Sequence, residues 1–344
     1  MQRRPFGKTG MELPEICFGT MRFAGQTPGD DPRSRAGQRA LEEALDLGID
    51  FVHSSYEYGT RWSTGEVLAR HPRRDRVRHA IKVNVPDWGE PAFSQAAFRR
   101  QIEEALRELR AERIDIVQHL QRGDFDRLLG YDDRAEPRRI ADLDAVLDPL
   151  REVAQQLRDE GLIGALTTFP YTVGYARAAI ASDAFDGVVA YFNLLETEML
   201  EVFDLMRERG MGFIGIRPLM GGLLTDARID RAALPAGDRM LDPGWDRAYD
   251  QLAEARAIVE PEIGEGRTAT SWTSFALKFS LVDPMFASTV VSINTQEQLH
   301  EVLAALEGPR PDAGLLPRLH QTTARFRAEH GVRADAAGVP QYEG

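Results

Sequence analysis

A chain of 344 residues is long for an average domain but ordinary for an α/β barrel, and its 43% apolar content suffices for a large core. A formal net charge of −12 argues against a general nucleic-acid binder, which needs clustered Lys and Arg, and no apolar run approaches membrane-spanning length. The single cysteine, Cys17, precludes an internal disulfide and sits in an apolar run as an expected core residue. With residues 1–5 carrying no signal-peptide character, a soluble cytoplasmic protein is expected.

Residues 3–14 read as a hairpin turning at Gly7-Lys8-Thr9-Gly10, and 16–20 as a first buried strand. Residues 40–47 have helical spacing and stop at Gly48. The strand 50–54 then runs into a polar stretch, so that His53, Tyr56 and Tyr58 fall within six residues. A helix centred on 65–69, a basic connection over 70–79 and a strand at 79–84 follow. Ser94 caps a helix whose apolar side is Phe98, Ile102, Ala105, Leu106 and Leu109.

Beyond the strand 114–120, the polar residues 122–139 read as a long loop. Helix and strand then alternate: helix 146–158, strand 163–168, helix 173–182, strand 187–192, helix 198–209, strand 212–217. A loop containing Gly221, Gly222, Pro235 and Pro243 precedes helices at 245–258 and 271–281, a strand at 289–293 and a helix at 295–306. Thr295 and Gln298 have capping-box spacing at its start. Eight strands of continuous apolar character, almost all separated by helices, predict a (β/α)8 TIM barrel in one domain. Its parts would be a hairpin over 1–15, a barrel over 16–310 with long loops at its C-terminal face, and a helical tail over 311–344. A doubly wound open sheet is the alternative, but no Gly-x-Gly-x-x-Gly follows the first strand.

Seven stretches in order carry a resemblance along nearly the whole chain: Phe6-Gly7-Lys8-Thr9-Gly10, the run from Phe51 to Gly59, Ile81-Lys82-Val83, Ile114-Asp115-Ile116, Phe192-Asn193-Leu194-Leu195, the run from Pro218 to Leu224, and Val290 to Glu301. The chain resembles the aldo-keto reductases. The resemblance implies a barrel that binds NADP(H) or NAD(H) in extended form and reduces carbonyl compounds without metal. It places Tyr58 on the general acid and Lys82 on the lysine that assists it, a tyrosine being a sluggish acid unless a cation stabilises its phenolate. Packing for Tyr58 and a solvated strand end for Lys82 are the bland alternatives.

Two of that family's positions differ. Its aspartate is replaced by His53, which supplies no negative charge to Lys82; two neighbouring bases disfavour each other's protonated forms. Its histidine, five residues after the strand's aspartate, falls on Leu120. His119 lies one place early, and a one-residue shift along a regular strand turns a side chain to the opposite face. His119 is therefore carried as a catalytic candidate beside the reading that it faces the helices.

At the cofactor-contacting positions stand Thr167 and Thr168, Ile216 and Arg217, Leu219, and Ser292, Asn294 and Gln298. No Lys or Arg lies between Ser292 and Glu301, so a 2′-phosphate would find a weak site, and NAD(H) or no dinucleotide competes with NADP(H). Tyr56, Trp62 and Trp88 are candidate walls for a small-molecule substrate, with packing as their other reading. The functional expectation is an oxidoreductase with a modified proton relay through Tyr58, Lys82 and His53. A lyase or isomerase on the same groups, and a non-catalytic ligand-binding barrel, are the alternatives; oligomeric state is open.

Overall fold

The computed structural model describes residues 1–124 and 136–330. Two short strands, β1 (Arg3–Pro5) and β2 (Glu12–Pro14), pair antiparallel around Gly7 and Gly10, both at positive φ. Eight further strands follow: β3 (Ile16–Gly19), β4 (Phe51–Ser55), β5 (Arg78–Asn84), β6 (Ile114–Leu120), β7 (Ile163–Thr168), β8 (Gly187–Tyr191), β9 (Gly212–Ile216) and β10 (Phe286–Ser292). They hydrogen-bond in chain order, all parallel, and β10 returns to β3, closing the barrel. The expected (β/α)8 architecture with its N-terminal hairpin is borne out.

The helices are α1 (Pro32–Asp46), α2 (Arg61–Arg70), α3 (Gln95–Leu109), α4 (Glu136–Asp159), α5 (Val173–Ala181), α6 (Phe203–Arg209), α7 (Asp246–Val259), α8 (Trp272–Phe279), α9 (Gln296–Ala305) and α10 (Leu315–His330). Two begin well before their apolar periodicity does. In α1, Asp31 accepts from the backbone N–H of Ser34 at 3.0 Å and Pro32 opens the helix, so capping starts it ahead of the first apolar turn. In α4, residues 136–139 of the expected loop are already helical, while 125–135 lie outside the described residues. In the expected tail, α10 is helical and residues 331–344 are likewise outside.

Side chains alternate in and out along each strand. Phe51, Ala80, Ile116 and Ile214 pack in the barrel interior with Cys17, whereas Val52, Ile81, Val83 and Val117 pack outward beneath the helices. The same parity sends His53, Lys82, Gln118 and Leu120 inward, and His79 and His119 outward. The hairpin closes the N-terminal mouth, where the fully buried ring of Phe6 lies so close to β8 and β9 that a Cβ on Gly187 or Gly212 would come within 2.4 Å or 2.2 Å of it. Phe6→Ala should cost about 3–5 kcal/mol in urea denaturation by opening that cavity. A loss below about 1 kcal/mol would show that the mouth collapses to fill it.

His79 and His119 are buried, and burial pushes each imidazole down to about 4. Both are neutral in the folded protein, while an unfolded histidine titrates near 6.5. The folded pKa is the depressed one, so stability is full above about pH 6.5 and is lost toward about pH 4, at about 1.4 kcal/mol per pH unit for each ring. Urea midpoints should fall over that window, and His119→Gln should flatten the fall. An unaltered slope in that variant would mean the ring is not protonated on unfolding.

Candidate active site

β4 ends in Ser55, which starts a short turn over Tyr56–Tyr58 by accepting from the backbone N–H of Glu57 at 3.3 Å. Gly59 ends the turn at φ 64°, its N–H on the carbonyl of Tyr56 at 3.1 Å, with Gln26 packed where a Cβ would sit. This turn folds Tyr58 back over the barrel mouth, where it is buried. Lys82, on the neighbouring strand, lies with Nζ 5.2 Å from the centre of the Tyr58 ring. The ring of His53 is 6.4 Å from that of Tyr58, and its Nε2 is 2.8 Å from Oε1 of Gln118 on β6.

Burial, with the nearby charge of Lys82 next, pushes the imidazole of His53 down to about 3, so it is neutral at any working pH. Burial also raises Tyr58 well above an ordinary phenol, and the carboxylate of Glu57 adds to the rise, while Arg122 and Arg61 oppose it. Glu57 is held by Arg122 through two bonds of 2.8 and 3.0 Å, and the same guanidinium donates to Asp87 at 2.8 Å and lies over the ring of Trp88. Burial acts to raise the carboxyl of Glu57, but the bonds and charge of Arg122 outweigh it and hold it below the usual range. Arg122→Met would leave two partly exposed carboxylates facing each other without their shared cation. The expected cost is about 3 kcal/mol in urea denaturation, the low end for a broken buried pair because both acids are partly exposed; below about 1 kcal/mol the network is only a surface contact.

His53, Tyr58 and Lys82 border one cavity of about 810 Å3 at the C-terminal face, which extends past Ile216, Arg217 and Leu219 to Ser292, Asn294 and Gln298. Four arginines, Arg22, Arg217, Arg228 and Arg239, line it against two carboxylates, Asp226 and Glu301. Burial, then Arg22 and Arg228, lower Arg239 below an ordinary guanidinium. Arg228 is paired with Asp238 at 3.0 Å, and an anion bound between the crowded guanidiniums would relieve the remaining repulsion. Arg217 also pairs with Glu196 at 3.6 Å and lies 4.7 Å from the centre of the Tyr191 ring. At the far end Thr295 accepts from the N–H of Gln298 at 3.3 Å, and Gln298 accepts from the N–H of Asn294 at 2.9 Å, a capping box displaced by one residue. No group of three or more His, Cys, Asp or Glu among the described residues is placed to hold a metal.

Several expected residues do not reach this cavity. His119 faces outward, its Nε2 2.7 Å from the carbonyl of Val85 and its ring among Phe93, Phe98 and Phe185. No bulge corrects its register: Val83 pairs with His119 and Asn84 with Leu120 in regular steps. Leu120 packs in the interior, where it offers no proton. Thr167 gives its hydroxyl to the carbonyl of Val117 at 3.1 Å, Thr168 engages Tyr175 on α5, and neither borders the cavity. Trp62 donates to the carbonyl of Gly25, Trp88 stacks under Arg122 and Tyr56 bonds Asp87; the aromatic walls are instead Tyr191 and Trp245. Gln118 was detectable as a polar side chain on the inward parity of a buried strand. Arg22, Arg228 and Arg239 come from loops distant in sequence, and no local signal marks them.

The family model for the Aldo/keto reductase family matches residues 15–313. An uncharacterized oxidoreductase, YrpG, of Bacillus subtilis (strain 168) is 26% identical over 336 residues, covering 89% of this chain and 91% of that protein. L-galactose dehydrogenase of Arabidopsis thaliana is 25% identical over 321 residues, covering 89% and 88%. The holo form of aldo-keto reductase AKR11C1 from Bacillus halodurans shares the fold with a TM-score of 0.67 at 19% identity, covering 94% of this chain and 96% of that one. The barrel, the order of its motifs and a family match over most of the length agree: this chain is an oxidoreductase that belongs to the aldo/keto reductase family.

Proposed function

We propose that this protein transfers hydride between a nicotinamide dinucleotide, NAD(H) in preference to NADP(H), and a small carbonyl or alcohol substrate. The observation that carries the reading is the meeting of Tyr58, Lys82 and His53 on the barrel side of a cavity whose outer walls carry four arginines. Bound there, the nicotinamide supplies or accepts the hydride. Ile216 would give its ring an apolar surface, and Arg22, Arg217, Arg228 and Arg239 would be the groups to hold the diphosphate.

Tyr58, like any phenol, is protonated at neutral pH, the state a proton donor to a developing alkoxide requires, and burial makes it a weaker acid that needs a cation beside its phenolate. Once the proton has moved, the ammonium of Lys82 beside the ring stabilises the phenolate left behind. His53 stands where the family's aspartate would, as a neutral hydrogen-bonding group rather than a charge. The preference for NAD(H) rests on α9, where Glu301 borders the cavity and no Lys or Arg lies between Ser292 and Glu301 to hold a 2′-phosphate. A relative named L-galactose dehydrogenase suits a carbonyl–alcohol pair as the substrate class. The lyase, isomerase and non-catalytic readings have no feature of their own in this cavity. The buried thiol of Cys17 suits a cytoplasmic setting, and no helix among the described residues is long and apolar enough to cross a membrane.

Thermal-shift and fluorescence titrations should give NADH an affinity at least tenfold above NADPH, a difference of about 1.4 kcal/mol. Tyr58→Phe should lower kcat by roughly 10²–10⁴-fold while dinucleotide affinity stays within twofold. Binding of neither dinucleotide would sink the reading, and tighter NADPH binding would reverse the cofactor preference.

A further inference from the structure

Gln118 is fully buried on β6, opposite Lys82 in the strand register and within hydrogen-bonding distance of His53. Its one hydrogen bond joins Oε1 to Nε2 of His53 at 2.8 Å; among the described residues its amide nitrogen is sealed without a partner. A buried primary amide held by a single contact is unusual, because the orphaned N–H groups carry a desolvation cost. The contact therefore has to matter for its partner. His53 differs from His79 and His119, whose Nδ1 atoms are sealed and unpartnered: its own Nδ1 is not among the sealed atoms, and its ring borders the cavity.

We propose that Gln118 is a positioning residue: its side-chain carbonyl accepts from Nε2–H of His53, locks that tautomer, and leaves the lone pair of Nδ1 as the acceptor offered to the proton-carrying end of the cavity. The proposal rests on the oxidoreductase reading above and deepens it. The groups facing His53 decide between the two tautomers. Lys82 lies beside it on β5 and Tyr58 in the turn after β4, both able to donate, while Arg61 on α2 adds positive charge nearby and gives a bond to Glu108 at 3.4 Å. From β3 come Gly19 and Thr20, and the N–H and hydroxyl of Thr20 both engage the backbone carbonyl of His53, leaving the ring alone. A ring surrounded by donors gains from showing them a lone pair and loses from showing them an N–H. The amide of Gln118, oriented with its oxygen toward Nε2, enforces that choice.

This gives His53 a different task from the carboxylate it replaces. An aspartate would hold the lysine by charge. A neutral imidazole with a bare Nδ1 orients donors by one directed hydrogen bond and leaves the cationic charge of Lys82 uncompensated by residue 53 itself. The ammonium of Lys82, 5.2 Å from the centre of the Tyr58 ring, is then free of a counter-charge at position 53 when a Tyr58 phenolate forms, while the rise that burial imposes on Tyr58 is opposed by Arg122 and Arg61.

The test reads the tautomer directly and separately from activity. Long-range 1H–15N correlation spectra of the full chain, with His53→Asn used to assign the signal, should show His53 neutral and protonated on Nε2 from pH 8 to pH 5. In Gln118→Met, which keeps the volume and removes the acceptor, that tautomer should lose its dominance, and kcat should fall roughly 10- to 100-fold with KM changed less than threefold. In Gln118→Glu the acceptor is kept and a negative charge is added. The tautomer should be rescued, the imidazolium should be stabilised, and the acid limb of the kcat profile should move up by at least one pH unit as protonation consumes the Nδ1 lone pair. A wild-type His53 protonated on Nδ1, or a tautomer and kcat indifferent to Gln118→Met, would overturn the proposal. Because the spectra need no turnover, a protein that binds no dinucleotide would fail the functional reading while the tautomer result still stands or falls alone.

Discussion

Closure of eight parallel strands makes the two-residue alternation of each strand binding on all the others. A side chain on a closed barrel points either into a filled interior or out against a helix, and no edge strand exists on which a mismatch can relax. That alternation brings Phe51 and His53 in on β4, Ala80 and Lys82 on β5, Ile116 and Gln118 on β6. The lower member of each pair fills the core beneath the site, His53 and Lys82 reach its floor, and Gln118 lies buried behind His53. The hairpin completes the arrangement by sealing the opposite mouth with Phe6. Apolar burial and active-site construction are therefore one geometric fact, with the polar layer beginning where the strands run out of interior.

The electrostatics of the site follow from what that layer contains. With histidine rather than aspartate at position 53, the strand layer carries no carboxylate from β4. The nearest negative charge sits instead on Glu57, in the turn beside Tyr58, and Arg122 claims both of its oxygens. Arg122 in turn joins Glu57 to Asp87, so the ends of β4, β5 and β6 are tied by one guanidinium whose charge also opposes the rise in Tyr58. The site has exchanged a buried carboxylate–lysine pair for a neutral imidazole below and an arginine-centred network above.

Much of this is legible along the chain because it depends on local periodicity. The eight strands, most helices and the site turn around Gly59 are visible as apolar runs, amphipathic spacing and turn residues. The helix starts were missed where capping by Asp31 and Pro32 did the work ahead of any apolar residue. His119 was the instructive case. Its chemistry invites a catalytic role, yet parity alone sends it to Phe98 and Phe185, and the regular register of β5 with β6 leaves no bulge to bring it back. Thr168 is excluded from the cavity by the same argument, and Thr167 by a hydroxyl already spent on Val117.

By itself the sequence determined the barrel and its order, because those are written in residues a few positions apart and read by backbone geometry, and a family resemblance singled out Tyr58 and Lys82 as candidates. Only the tertiary structure decided which polar groups share a cavity. The four arginines come from loops as far apart as residues 22 and 239, and the partner of His53 comes from a strand two places around the barrel. Charge and hydrogen bonding act across space within a few ångströms, irrespective of separation along the chain, and closure of the barrel is what sets those distances.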